Sequence, residues 1–83
     1  MTRIAVVGAG SWGTAFAALC CQNASVVLWG RDATLVDAIN ERHENPRYLA
    51  GIPLDPRLRA TTDLDEACRG ADVVAMAVPS HAG

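Results

Sequence analysis

The apolar run Ile4-Ala5-Val6-Val7 ends directly in Gly8-x-Gly10-x-x-Gly13, and this junction constrains the fold more than any other feature of the chain. A short run rich in β-branched residues and stopped by glycine reads as a buried strand over residues 3–7. Beyond it the chain turns Ala-rich, and Phe16, Leu19 and Cys20 are spaced for one face of a helix running from Gly13 to about Cys21. A glycine triplet between a strand and a helix is the setting of a dinucleotide-binding turn. In such a turn Gly8 permits the tight bend, Gly10 lets a pyrophosphate approach the backbone, and Gly13 lets the helix lie close to the strand. The N–H groups around Ser11 and Trp12, at the start of that helix, would bind the phosphates with help from the helix dipole. The competing reading is a turn that uses glycine for geometry alone, so the rest of the chain has to decide.

The rest of the chain repeats the pattern. Residues 25–29, SVVLW, form a second β-branched run that stops at Gly30. Asp32 is a good N-cap for a helix from Ala33 to about Arg42, with Leu35, Val36 and Ile39 on its apolar face. A loop with three prolines and a glycine follows over residues 43–58, long enough to be functional or packed as a unit. Residues 58–61 predict a short third strand. Thr62 with Asp65 predicts a capping box opening a helix to about Arg69, and DVVAMAV, residues 72–78, predicts a fourth buried strand ending at Pro79. Strand and helix thus alternate three times, the mark of an α/β fold with a parallel sheet covered by helices. The doubly wound, Rossmann-type arrangement would order the strands 3-2-1-4 and place the glycine turn and PSHAG at one crevice.

Composition narrows the function classes. The chain is 51% apolar and 19% charged with a net charge of −2, which supplies no basic footprint for nucleic acid or a membrane surface. No apolar run reaches the length of a membrane span, and the N-terminus lacks the layout of a signal peptide, so a cytoplasmic location is expected. Three cysteines, Cys20, Cys21 and Cys68, show no metal-ligand spacing and read as small hydrophobes in a reducing compartment; no metal site is expected. All seven basic residues are arginine, and the sequence contains no lysine.

The end of the second strand bears on cofactor choice. A carboxylate about 20 residues beyond the glycines would bind a ribose 2′-hydroxyl, but here Gly30 and Arg31 come first and Asp32 one step later. An arginine can pair with a 2′-phosphate or stack on adenine, which favours NADP(H) while leaving NAD(H) open. Trp12 either packs on the cofactor or fills space behind the turn. His43 and His81 are more ordinarily surface residues than catalysts, although His81 falls at the crevice. No nucleophile-and-base arrangement follows from spacing.

GAGSWGTA, LWGRD, ENPRYLAGIPLDPRL and AVPSHA together resemble the NAD(P)-dependent glycerol-3-phosphate dehydrogenases of bacterial type, in one order along the entire chain. The glycine turn alone fits many dehydrogenases; Trp12 after Ser11, the Asn45-x-x-Tyr48-Leu49 segment and the Val-Pro-Ser-His-Ala end make the match specific. Ala50 departs from it, standing where proline is common. The resemblance implies cofactor contacts by Ser11, Trp12 and Arg31, with Tyr48 nearby, beside the glycines Gly8, Gly10 and Gly13. It also implies reversible reduction of dihydroxyacetone phosphate to sn-glycerol 3-phosphate for glycerophospholipid synthesis, with NADP or NAD as cofactor and a possible homodimer of the full-length enzyme. The proton in that reaction comes from a lysine beyond the PSHA segment, and the substrate phosphate is held by a helical C-terminal domain. Residues 1–83 are therefore expected to be the N-terminal part of a dinucleotide-binding domain that binds cofactor and holds no catalytic residue. A stand-alone dinucleotide-binding or sensing module is the alternative.

Overall fold

A computed structural model describes residues 2–77. Val78, Pro79 and the rest of PSHAG, His81 included, lie outside the described residues, as does their expected place at the crevice. Four strands, β1 (Arg3–Val7), β2 (Ser25–Trp29), β3 (Arg59–Thr61) and β4 (Val73–Met76), form one sheet in the order β3-β2-β1-β4. All three pairings are parallel, with Val6 beside Leu28 and Ala75, and Leu28 beside Ala60. The expected 3-2-1-4 order of a doubly wound sheet is the observed one.

Helices α1 (Ser11–Cys20), α2 (Ala33–Arg42) and α3 (Leu64–Cys68) connect the strands. Val6, Val26 and Leu28 from the sheet pack with Ala17 of α1, with Leu35, Val36 and Ile39 of α2, and with Leu54 and Leu58 of the long loop. Alternation along a strand sends Ala5 and Val7 to the opposite face, where they are also buried. Burial on both faces explains why β1 reads as an unbroken apolar run rather than an alternating one.

Three expectations need correction. Helix α1 begins at Ser11 rather than Gly13, because the Thr14 N–H donates to the Gly10 carbonyl at 2.9 Å and closes the first turn through the glycine region. The cap of α3 is Asp63 rather than Thr62: its Oδ1 accepts from the Glu66 N–H at 3.1 Å, one residue later in register than the expected box. Strand β4 is not buried as expected over its length. The 3-2-1-4 order places it at the edge of the sheet, as expected, and among the described residues Val73, Val74 and Met76 are exposed.

The long loop is packed as a unit. Asn45 bridges to Leu49 in antiparallel fashion, and Leu54 and Leu58 are drawn into the core. His43 ends α2 in the left-handed conformation (φ 55°), and its Nδ1 is buried without a hydrogen-bond partner among the described residues.

Candidate cofactor-binding site

The carboxyl ends of β1 and β2 open onto a cleft of about 750 Å³, within the range of small-molecule sites. Its wall includes Gly8, Gly10, Ser11 and Trp12 from the β1–α1 turn, and Trp29, Gly30, Arg31 and Asp32 from the end of β2. Arg47 and Tyr48 reach it from the long loop. Of the residues singled out in the sequence, Gly8, Gly10, Ser11, Trp12, Arg31 and Tyr48 thus meet at one cleft. Gly13 does not line it.

Each glycine of the triplet has its own physical demand. Gly8 sits at φ 120°, a conformation that side chains resist. Gly13 is buried, and a Cβ there would run into the Gly8 carbonyl oxygen and come within 3.0 Å of the Ala77 Cβ. It sets the close approach of α1 to the strand. Gly10 differs from both. Its φ of −75° suits any residue, and a Cβ built on it meets nothing within 4 Å. The room beside Gly10 belongs to the cleft.

Helix α1 starts at this space without a side-chain cap. Serine or aspartate at the cap would satisfy one of the first N–H groups and stabilise the helix by about a few tenths of a kcal/mol relative to glycine. Glycine leaves the N–H groups of the first turn free of such a partner, directed at the cleft together with the positive end of the helix dipole. A helix start of this kind suits an anion, and the phosphates of a dinucleotide have that chemistry.

Aromatic side chains flank it. Trp12 is 61% exposed and stacks on Phe16 with ring centroids 5.1 Å apart and planes within 5°. It does not fill space behind the turn; one face of its ring is taken by Phe16, and the residue lines the cleft. Tyr48 is exposed as well, with the Arg47 guanidinium 5.7 Å from its ring centroid. Trp29 is held from behind, its indole N–H donating to the Thr62 carbonyl at 2.9 Å.

One residue that sequence reasoning left without a role, Asn45, organises this cleft. The side chain of Asn45 is fully buried. Its Nδ2 donates to the Ala9 carbonyl at 3.1 Å and to the Thr14 hydroxyl at 2.8 Å, while its Oδ1 accepts from the N–H groups of Arg47 (3.2 Å) and Tyr48 (3.0 Å). One amide therefore ties the glycine turn to the loop that carries Tyr48. The Asn-Pro pair signals a turn at residues 45–46, but nothing local tells that the side chain would be buried 36 positions from its partner Ala9. Asp32 caps α2 as expected, accepting from the N–H groups of Thr34 (2.9 Å) and Leu35 (3.3 Å), and its second oxygen faces Arg47 at 3.3 Å. Among the described residues, no cluster of His, Cys, Asp or Glu has the makings of a metal site, and no helix is long and apolar enough to cross a membrane.

A parallel α/β sheet in the order β3-β2-β1-β4, with a glycine turn and an uncapped helix start after the first strand, defines a domain of the Rossmann class. The chain belongs to the family described as NAD-dependent glycerol-3-phosphate dehydrogenase N-terminus, whose model matches residues 3–83. It is 60% identical over 81 residues to a glycerol-3-phosphate dehydrogenase (NAD(P)+) of Stenotrophomonas maltophilia, covering 96% of this chain and 24% of that protein. A protein of the same name from Thermobifida fusca is 57% identical over 83 residues, covering 98% of this chain and 25% of its own length. Among solved structures, a glycerol-3-phosphate dehydrogenase of Plasmodium falciparum superposes with a TM-score of 0.85 at 33% identity, over 94% of this chain and 25% of that one. The chain spans about a quarter of the length of the curated relatives it matches.

Proposed function

We propose that the chain is the cofactor-binding part of an enzyme that reversibly reduces dihydroxyacetone phosphate to sn-glycerol 3-phosphate with NADPH or NADH, feeding glycerophospholipid synthesis in the cytoplasm. The observation that carries this reading is the Gly10 space at the uncapped start of α1. It fits the pyrophosphate of a dinucleotide and has no use in a purely structural turn. Relatives named for this activity support the substrate, and a homodimer belongs to the same reading of the complete enzyme.

When bound, the nicotinamide supplies the hydride that reduces the ketone. The residues of this chain hold and orient. Gly8 and Gly10 admit the phosphates, the first N–H groups of α1 bind them, and Gly13 keeps α1 against the strand. Ser11 and Trp12 stand at the phosphate end of the cleft. Arg31 lies at the end of β2, where the ribose 2′ position is read. The reduced oxygen also needs a proton, which a lysine of the longer relatives is expected to give; these 83 residues contain no lysine.

The test is titration of the protein expressed from its complete gene with NADPH and NADH, followed by dihydroxyacetone phosphate with absorbance at the nicotinamide band. Saturable binding and substrate-dependent oxidation support the reading. Binding without oxidation favours the sensing module, and no binding refutes both.

A further inference from the structure

The charges at the mouth of the cleft, beyond the end of β2, follow a pattern that the glycine turn does not account for. Among the described residues lining the cleft, Asp32 alone is acidic; it caps α2 just beyond Gly30 and Arg31, one step past the end-of-β2 position where a site that selects against a 2′-phosphate keeps its carboxylate. A carboxylate in that place does two things: it accepts a hydrogen bond from the ribose 2′-hydroxyl and it repels a 2′-phosphate. Here both oxygens already have partners in the protein. Oδ1 accepts from the Thr34 and Leu35 N–H groups as the cap of α2, and Oδ2 is paired with the Arg47 guanidinium at 3.3 Å.

Arg47 is held in that place by three contacts. Its backbone N–H donates to Asn45 Oδ1, its guanidinium lies 5.7 Å from the Tyr48 ring centroid, and Asp32 takes its Nη1. Through Asn45 this short segment is fastened to the Ala9 carbonyl, so Arg47 is registered to the glycine turn rather than free on a loose loop. Arg31, next to Asp32 in the chain, lines the same cleft. Two cations and one carboxylate leave a net positive mouth, and a dianionic phosphate is the group such a mouth accommodates.

We propose that Arg47 is a specificity-determining residue: it neutralises Asp32 and joins Arg31 as a second cation, so that the cleft accepts a 2′-phosphorylated adenosine ribose. The inference rests on reading the cleft as a dinucleotide site. It differs from an assignment to Arg31 alone because it makes the preference depend on a pair of residues 15 positions apart in sequence. The Arg47 and Asp32 side chains are 65% and 39% exposed, so the effect is moderate and falls with ionic strength.

The experiment uses the protein expressed from its complete gene and two adenosine probes, 2′,5′-ADP and 5′-AMP, with binding followed by the fluorescence of Trp12 and Trp29 and by calorimetry. In Arg47→Ala the dissociation constant for 2′,5′-ADP should rise at least fivefold at low salt, while that for 5′-AMP moves less than twofold. Asp32→Asn keeps a cap for α2 and removes the charge, so the double variant Asp32→Asn/Arg47→Ala should recover part of the lost 2′,5′-ADP affinity. Equal changes for both probes, or no change for either, would overturn the proposal, as would a double variant no better than Arg47→Ala. If the unaltered protein binds neither probe nor the dinucleotides, the cleft reading itself fails and the proposal falls with it. If it binds them and only the Arg47 pattern is missing, the cleft reading stands and the role of Arg47 is refuted.

Discussion

Replacing Asn45 with alanine should destabilise the domain and loosen the cleft together, and the size of the loss can be worked from its four hydrogen bonds. Two of them end on buried groups, the Ala9 carbonyl and the Thr14 hydroxyl. A buried polar group stripped of its partner costs about 1–3 kcal/mol, so these two set a loss of about 2–6 kcal/mol. The other two partners, the Arg47 and Tyr48 N–H groups, lie in an exposed segment where water replaces the amide, and they add little. Typical stabilities of about 0.05–0.15 kcal/mol per residue make such a loss a large fraction of what holds a domain of this size. Urea unfolding followed by tryptophan fluorescence reads it directly, since Trp12 and Trp29 both line the cleft. The midpoint should fall with the slope unchanged. Asn45→Asp keeps the acceptor but sets a carboxylate against the Ala9 carbonyl. Its folded-state pKa is then raised, so the penalty is full at neutral pH and shrinks as pH falls and the carboxyl regains a proton to donate. A loss below about 0.5 kcal/mol for Asn45→Ala, the scale of an ordinary surface change, would refute the claim that this amide joins turn and loop.

Other outcomes follow from single groups. Gly10→Val should leave the fold standing, because no protein atom opposes its Cβ, yet weaken dinucleotide binding at least tenfold in a calorimetric titration. Gly13→Ala should instead lower the melting temperature, since its Cβ would meet the Gly8 carbonyl. Arg31→Ala should lower the NADPH to NADH ratio of kcat/KM in the complete enzyme by about tenfold, the loss of one charge-assisted hydrogen bond; an unchanged ratio would clear Arg31 of that role. Burial, with the Asp55 charge adding to it, pushes the Cys21 thiol up to about 11, so iodoacetamide at pH 8 should modify Cys21 only after unfolding. The Arg57 side chain and backbone N–H, both donating to Asp55, hold its carboxyl down at about 2. A lowered folded pKa gives a contribution present above the ordinary carboxylate value and lost as pH falls toward 2, and Asp55→Asn should remove that part of the acid sensitivity.

How much of this was legible in the sequence varied with how local the cause was. The bounds of β1, β2 and α2, and the cap at Asp32, followed from β-branched runs, glycine stops and one N-cap, all set within a few residues. The cap of α3 was misplaced by one residue because Thr62 and Asp63 are both capping types, and only the hydrogen bond to Glu66 chooses between them. Strand β4 read as buried because its residues are apolar, whereas burial depends on what lies beside the strand. The roles of Asn45 and Arg47 were not legible at all. Each acts on residues far away in the chain, and a polar residue in a proline-rich loop carries no mark of a distant partner.

The three glycines of the turn separate a nucleotide cradle from a turn that merely bends. Gly8 is required by its own backbone, since φ 120° is hostile to a side chain. Gly13 is required by neighbouring protein atoms, the Gly8 carbonyl and the Ala77 Cβ. Both demands would exist in a strand-to-helix turn with no ligand, so neither argues for function. Gly10 has an ordinary backbone conformation and open space where its Cβ would stand. It also occupies the cap of α1, where serine or aspartate would stabilise the helix better than glycine does. Selection for stability alone would therefore replace Gly10 first. Its presence is explained when the space and the unfilled N–H groups are put to use together by an anionic group pressed against the backbone, and a pyrophosphate meets both conditions.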